Sequence, residues 1–63
     1  MSSEHAQLSA VSTTLEELTE RVTSVAHHYD GTPREDVAAA LYEVERSLRA
    51  AARRLRSVVD DLA

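Results

Sequence analysis

Cysteine, lysine, phenylalanine, tryptophan and isoleucine are all absent from this chain of 63 residues, and glycine and proline occur once each. Without cysteine there can be neither a disulfide framework nor a thiolate metal site. A single glycine excludes the glycine-rich loops that bind phosphate. Two tyrosines are the only aromatic residues, so the apolar layer must be built from small side chains.

What the chain does contain is ten alanines, seven leucines, seven valines and 29% charged residues, a composition typical of helical or coiled-coil proteins. The length allows one domain, which we expect to span residues 1–63. The formal net charge of −4 disfavours general binding to nucleic acid or to anionic membranes. No apolar run reaches the roughly 18 residues that cross a bilayer, and the first residues do not resemble a secretory signal. We therefore expect a cytoplasmic protein with no membrane partner.

The only glycine and the only proline lie together in a segment that predicts the end of one helix and the start of another. Gly31 suits the left-handed position after a helix C-terminus. Thr32 is a candidate N-cap, Pro33 fits the first helical position, and Glu35 completes a Thr-x-x-Glu capping box. Ser2 or Ser3 is a candidate cap for the first helix, with Glu4 in its first turn.

Apolar residues on both sides of this turn repeat with alternating spacings of three and four, which is the heptad pattern of packed helices. We predict helices over about residues 4–29 and 33–62. The heptad a positions are Leu8, Leu15, Val22 and Tyr29 in the first helix and Leu41, Leu48, Leu55 and Leu62 in the second. The d positions are Val11, Leu18 and Val25 in the first helix and Val37, Val44, Ala51 and Val58 in the second. The fold class is therefore all-α, an antiparallel two-helix hairpin.

A turn this short makes the two helices antiparallel neighbours, and we expect the a and d positions to meet between them, with Leu18 near Val44. This apolar contact, which we call the seam, is only two residues wide per heptad and leaves one side of an isolated hairpin exposed to water. We therefore expect a homodimer that forms a four-helix bundle. A second, weaker line flanks the seam, with small residues in the first helix that permit close approach and apolar residues in the second. That line contains Ser12, Thr19 and Ala26 in the first helix and Ala38, Tyr42, Ala52 and Val59 in the second. The predicted interface residues are Leu15, Leu18, Val22, Leu41, Tyr42, Val44, Leu48 and Leu55.

Catalytic and metal sites have little support in the sequence. His5, His27 and His28 lack the spacing that lets two imidazoles share an ion. His27 and His28 lie in the last turn of the first helix, where the helix dipole favours positive charge, and this accounts for their position. No nucleophile lies in a glycine-rich elbow, and the carboxylates fall on outer heptad positions. We expect no enzyme activity, no cofactor and no metal.

Four arginines form the one charge pattern that invites a functional interpretation. Arg46, Arg49, Arg53 and Arg56, here called the Arg stripe, follow one outer face of the second helix. One interpretation is a solvated face with local ion pairs to Glu43, Glu45 and Asp60. The alternative is a docking strip for an acidic protein or for a nucleic-acid backbone.

The turn sequence Tyr29-Asp30-Gly31, with the segment from Leu48 to Leu55, resembles the helix–turn–helix of the WXG100 proteins that type VII secretion exports. That family has tryptophan where this chain has Tyr29, and its C-terminal Tyr-x-x-x-Asp/Glu signal has no counterpart after Leu62. The resemblance covers the turn and the second helix, and it implies a helical hairpin that is exported.

These observations leave three hypotheses for function. The first is a non-enzymatic protein–protein interaction or assembly module that self-associates through the Leu/Val heptad seam and binds a further, unknown protein. The second is a small regulator that binds nucleic acid through the Arg stripe. The third is an exported hairpin similar to the WXG100 proteins.

Overall fold

The computed structural model describes residues 2–63 as two antiparallel helices joined by a short turn. Helix α1 runs over Ser3–Tyr29 and helix α2 over Glu35–Leu62. Between residues 2 and 63 the chain forms no strand, so the predicted all-α hairpin is confirmed. Its Cα atoms extend over 49 × 14 × 10 Å, the shape of a flat rod two helices wide.

Helix α1 begins where the sequence predicts. Ser2 is the N-cap, and its Oγ accepts a hydrogen bond from the backbone N–H of His5 at 3.0 Å. This bond satisfies one of the donors that a helix start leaves unpaired. Glu4 lies in the first turn, where its negative charge interacts favourably with the helix dipole.

The turn follows the prediction at Gly31 and departs from it at Thr32. Gly31 has φ of +71°, the left-handed conformation expected after a helix C-terminus. The Thr32 hydroxyl accepts a hydrogen bond from the backbone N–H of Arg34 at 3.2 Å, as predicted, and it also donates to the carbonyl of Tyr29 at 2.5 Å. Helix α2 begins at Glu35, two residues later than predicted, and Arg34 at the N-cap makes no side-chain cap bond. The other half of the predicted capping box is wrong, because the backbone N–H of Thr32 bonds to the carbonyl of Tyr29 at 3.2 Å and not to Glu35.

The two helices contact each other along the a positions and the small residues next to them at e. From Leu8 to Val59, residues at these positions of the two helices are buried or half-buried, and the tightest contacts are at alanine and threonine. Ala26 and Ala38 are 0% and 2% exposed, and Thr19 is 3% exposed. Short side chains at e let the helices approach closely, so the contact is a thin layer without large fully buried side chains in residues 2–63.

The d positions lie on the side of the hairpin that the sequence analysis expected to be exposed to water. Leu18 and Val44 are 45% and 44% exposed, so they are not enclosed between α1 and α2, and their mutual contact stays a prediction. The contact is rotated toward e because alanine, serine and threonine there allow closer packing than valine and leucine at d. The d positions other than the half-buried Val37 are left on the outside of the hairpin.

Candidate interaction surfaces

The most conspicuous surface is a row of exposed large apolar side chains. Val11, Leu18 and Val25 of α1 are each about half exposed, and so are Val44 and Val58 of α2. We call this surface the apolar face. It consists of Val11, Leu18, Val25, Val44, Ala51 and Val58.

These residues share one side of the hairpin for a geometric reason. At 100° per residue, the d position lies about 80° to one side of a contact centred between a and e, and the b position lies about 80° to the other. Because the helices are antiparallel and face each other, the same offset places d of both helices on one face and b of both on the opposite face. The hairpin therefore has two different sides.

The opposite side, which we call the polar face, carries hydrogen bonds and ion pairs that cross between the helices. Thr23 of α1 donates to the carboxylate of Glu45 of α2. Arg56 of α2 pairs with Glu16 of α1. Exposed ion pairs each contribute little to stability, but together these contacts pair several of the polar groups of this side within the chain.

Tyr42 belongs to the polar face and joins α2 to the C-terminus of α1. Its hydroxyl donates to Oδ2 of Asp30 at 2.7 Å and lies 3.1 Å from Nδ1 of His27. The ring meets the His27 imidazole edge to face, with centroids 5.8 Å apart. The bond to the Asp30 carboxylate raises the pKa of Tyr42 above its ordinary value, because it holds the phenolic proton. The ring is thus engaged inside the hairpin, on the side away from the apolar face.

Glu45 is the central acceptor of the polar face. It receives the Thr23 hydroxyl, and Nη2 of Arg49 donates to its Oε2 at 3.0 Å. The Thr23 hydrogen bond, and then the Arg49 guanidinium, lower the pKa of Glu45 from its ordinary value. Both donors favour the ionised carboxylate, so this group stays charged well into mildly acidic solution.

The Arg stripe is largely neutralised within the chain. Arg46 pairs with Glu43 and Arg49 with Glu45, as predicted. Arg56 was expected to pair with Asp60 but pairs across the hairpin with Glu16. In residues 2–63 the stripe member that has no carboxylate within ion-pair distance is Arg53, and the neighbouring Arg54 also has none.

A shallow groove runs between the helices beside these ion pairs. Its volume is about 300 Å³ and it opens to solvent along its length. The residues that line it are Glu16, Thr19, Glu20, Arg49, Ala52, Arg53 and Arg56.

The sequence interpretation missed one buried polar group. His5 is 9% exposed, and its Nδ1 is buried without a hydrogen-bond partner. His5 occupies the e line that contains Thr19 and Ala26, so the spacing of the buried residues could have identified it. It lies near the open end of the hairpin, far from the turn that holds His27 and His28.

The predicted interface residues separate into three groups. Leu15, Leu48 and the other residues at a are half-buried between the helices, at the edge of the apolar face. Leu18 and Val44 lie fully on that face, whereas Tyr42 lies on the polar face. In residues 2–63 no group of three or more side chains is arranged to hold a metal ion. Over the same residues neither helix is long and apolar enough to cross a membrane.

Comparison of the chain with protein-family models, with curated proteins and with solved structures finds no match. The resemblance to the WXG100 proteins therefore rests on the turn and on α2 alone. Any assignment of function has to come from the two faces of the hairpin.

Proposed function

We propose that this protein is a non-enzymatic assembly module, a helical hairpin that self-associates and offers its remaining surface to another protein. The observation that carries the proposal is the absence, in residues 2–63, of a large fully buried side chain, together with the row of half-exposed leucine and valine on one side. A hairpin of this composition gains much of its hydrophobic stabilisation only when that side is covered.

The dimensions of the molecule support the same proposal. The accessible surface is 4617 Å², whereas a globular monomer of this mass exposes about 4,000 Å². The radius of gyration is 14.6 Å, against about 10.6 Å for a globular domain of this length. An isolated half of a four-helix bundle exposes excess surface of this kind, because the side that would meet the other half stays in solvent.

Thermal unfolding at several protein concentrations tests the proposal. The melting temperature of a self-associating chain rises with concentration, because association stabilises the folded form by mass action. We expect a clear rise over a concentration range of about 100-fold. A melting temperature that does not change over this range would contradict self-association.

The nucleic-acid hypothesis has less support. Three of the four arginines in the Arg stripe already have glutamate partners, so little unbalanced positive charge is left to neutralise phosphates. We propose instead that the polar face, with the unpaired Arg53, is the side open to a protein partner. The chain can be applied to immobilised duplex DNA at increasing salt. The nucleic-acid hypothesis would be favoured if retention fell steeply with salt and disappeared in an Arg53→Gln/Arg54→Gln variant.

A cytoplasmic location is part of the same proposal and rests on the sequence alone. The WXG100-like alternative predicts export instead. Fractionation of cells that produce the chain distinguishes the two, because an exported hairpin accumulates outside the cell.

A further inference from the structure

We infer that a second copy of this chain covers the apolar face, with the turns of the two hairpins at the same end of the resulting four-helix bundle. This inference rests on the proposed self-association and deepens it, since it names the face and the relative orientation. Three observations carry it: the size of the face, its freedom from charge, and the distribution of charge between the two helices.

The size of the face matches that of a stable dimer interface. The hairpin measures 49 by 14 Å along and across its helices. Covering one such side removes on the order of 700 Å² from each copy, or about 1,400 Å² in total, which falls within the range of specific interfaces. A second copy also has the same length as the face, so it can cover the whole row from Val11 to Val25 and from Val44 to Val58.

The apolar face can be covered without burying charge. Every a and d position in the segments 8–29 and 37–58 is occupied by leucine, valine, alanine or tyrosine. Burial of an unpaired charge is costly, and here it is not required. The ion pairs of the hairpin lie on the polar face, so they stay in solvent when two apolar faces meet.

The charges of the helices favour one of the two symmetric arrangements. Helix α1 has an acidic middle, Glu16, Glu17 and Glu20, whereas α2 has five arginines and no carboxylate between Arg46 and Arg56. Turns at the same end place α1 of one copy beside α2 of the other. Turns at opposite ends place α1 beside α1 and α2 beside α2, which brings the arginine-rich segments of both copies together. Arg46, Arg49 and Arg56 are paired within their own hairpin, so the repulsion comes from Arg53 and Arg54. Like charges side by side oppose association, so the first arrangement is favoured.

Two variants with a negative charge on the apolar face test which side is covered. Leu18→Glu and Val44→Glu place a carboxylate in the middle of the face, whereas the matched controls Thr13→Glu and Ala39→Glu place one on the exposed outer side of the same helices. All four positions are exposed in the single hairpin, so no substitution breaks a contact between its helices. A variant that no longer associates loses the stabilisation that association supplies, so we expect the two apolar-face variants to melt at a lower temperature than the controls, while circular dichroism in the cold shows all four as helical. We expect the two apolar-face variants to sediment as monomers and the two controls to sediment as the wild-type dimer.

The outcomes separate this inference from the proposed function. If the wild-type chain is a dimer and the apolar-face variants remain dimers, the inference fails while self-association stands. If the wild-type chain is itself a monomer, both fail.

Distances between spin labels test the relative orientation of the two hairpins. Because the chain has no cysteine, a single introduced cysteine gives one labelling site per copy. A single Arg34→Cys substitution in the turn carries one nitroxide per copy. Turns at the same end predict a label-to-label distance close to the width of the bundle, whereas turns at opposite ends predict one near the 49 Å length of the hairpin. As a control, copies labelled at Arg34→Cys are mixed with copies labelled at Ser57→Cys near the far end of α2. The mixed pairs should give the long distance. A long distance for Arg34→Cys alone would overturn the same-end arrangement.

Discussion

At the scale of single residues, alanine and threonine set how close the helices come. Ala26 and Ala38 are 0% and 2% exposed, and Thr19 is nearly as buried, with its hydroxyl donating to the carbonyl of Leu15 at 2.7 Å. That bond satisfies a polar group which would otherwise be buried unpaired. The tightest part of the contact is therefore made by the smallest side chains, and the larger leucines lie at its edges.

This arrangement predicts that enlarging a small residue in the contact destabilises the hairpin. Ala26→Leu adds volume where none is free, and overpacking of this kind costs about 1–3 kcal/mol. Ala10→Leu, at an exposed position of α1, should change stability by less than about 0.5 kcal/mol, because leucine and alanine are both good helix formers. Urea unfolding of the two variants measures the difference. Equal effects would show that Ala26 is not in a tight contact.

At the scale of the helices and the turn, Gly31 determines how α1 ends. Its φ of +71° lies in the left-handed region, and a Cβ added there would meet nothing within 4 Å. Residues other than glycine are therefore disfavoured at position 31 by the backbone conformation and not by a lack of space for a side chain.

Gly31→Ala should lower the free energy of unfolding by about 1–2 kcal/mol, the penalty for a left-handed alanine. Gly31→Asn should lower it by less, because asparagine adopts this conformation more readily. Thermal melts of the two variants at one protein concentration test the order. If alanine were tolerated as well as asparagine, the turn would not depend on the left-handed conformation.

Glu45 links the two helices in a way that depends on pH. The Thr23 and Arg49 donors lower the pKa of Glu45 below its ordinary value. The ionised group therefore contributes stability at neutral pH, and this contribution is lost as the pH falls below about 4 and through the lowered pKa. Glu45→Gln should melt lower than wild type at neutral pH, and the difference should shrink in acid. A difference in melting temperature that stays constant from neutral to acidic pH would contradict this role.

The sequence predicted the hairpin, the Ser2 cap and the glycine turn, because each depends on local chemistry. It did not predict which side of the a positions packs within the chain. Heptad spacing marks apolar residues at d and small residues at e equally well, so it did not show that the contact is centred between a and e and leaves Leu18 and Val44 half exposed. A heptad pattern does not distinguish a contact within a chain from a contact between chains. The later start of α2 was missed because Thr32 bonds to both helices: its hydroxyl accepts from Arg34 and donates to Tyr29, and its backbone N–H bonds to Tyr29 and not to Glu35.

At the scale of the whole molecule, the hairpin has one apolar side and one polar side, and few of its groups are fully buried. The polar side is held by cross-helix contacts such as Tyr42 with Asp30 and Arg56 with Glu16. The apolar side has no such partners within the chain. The proposed dimer would cover this side and form the closed interior that a single hairpin lacks.

Sedimentation equilibrium of the wild-type chain at micromolar concentration tests this central claim most directly. Dimerisation through the apolar face predicts a mass of twice that of one chain, falling to the mass of one chain in Leu18→Glu. A wild-type mass of one chain at every concentration, in a protein that is fully helical, would contradict it.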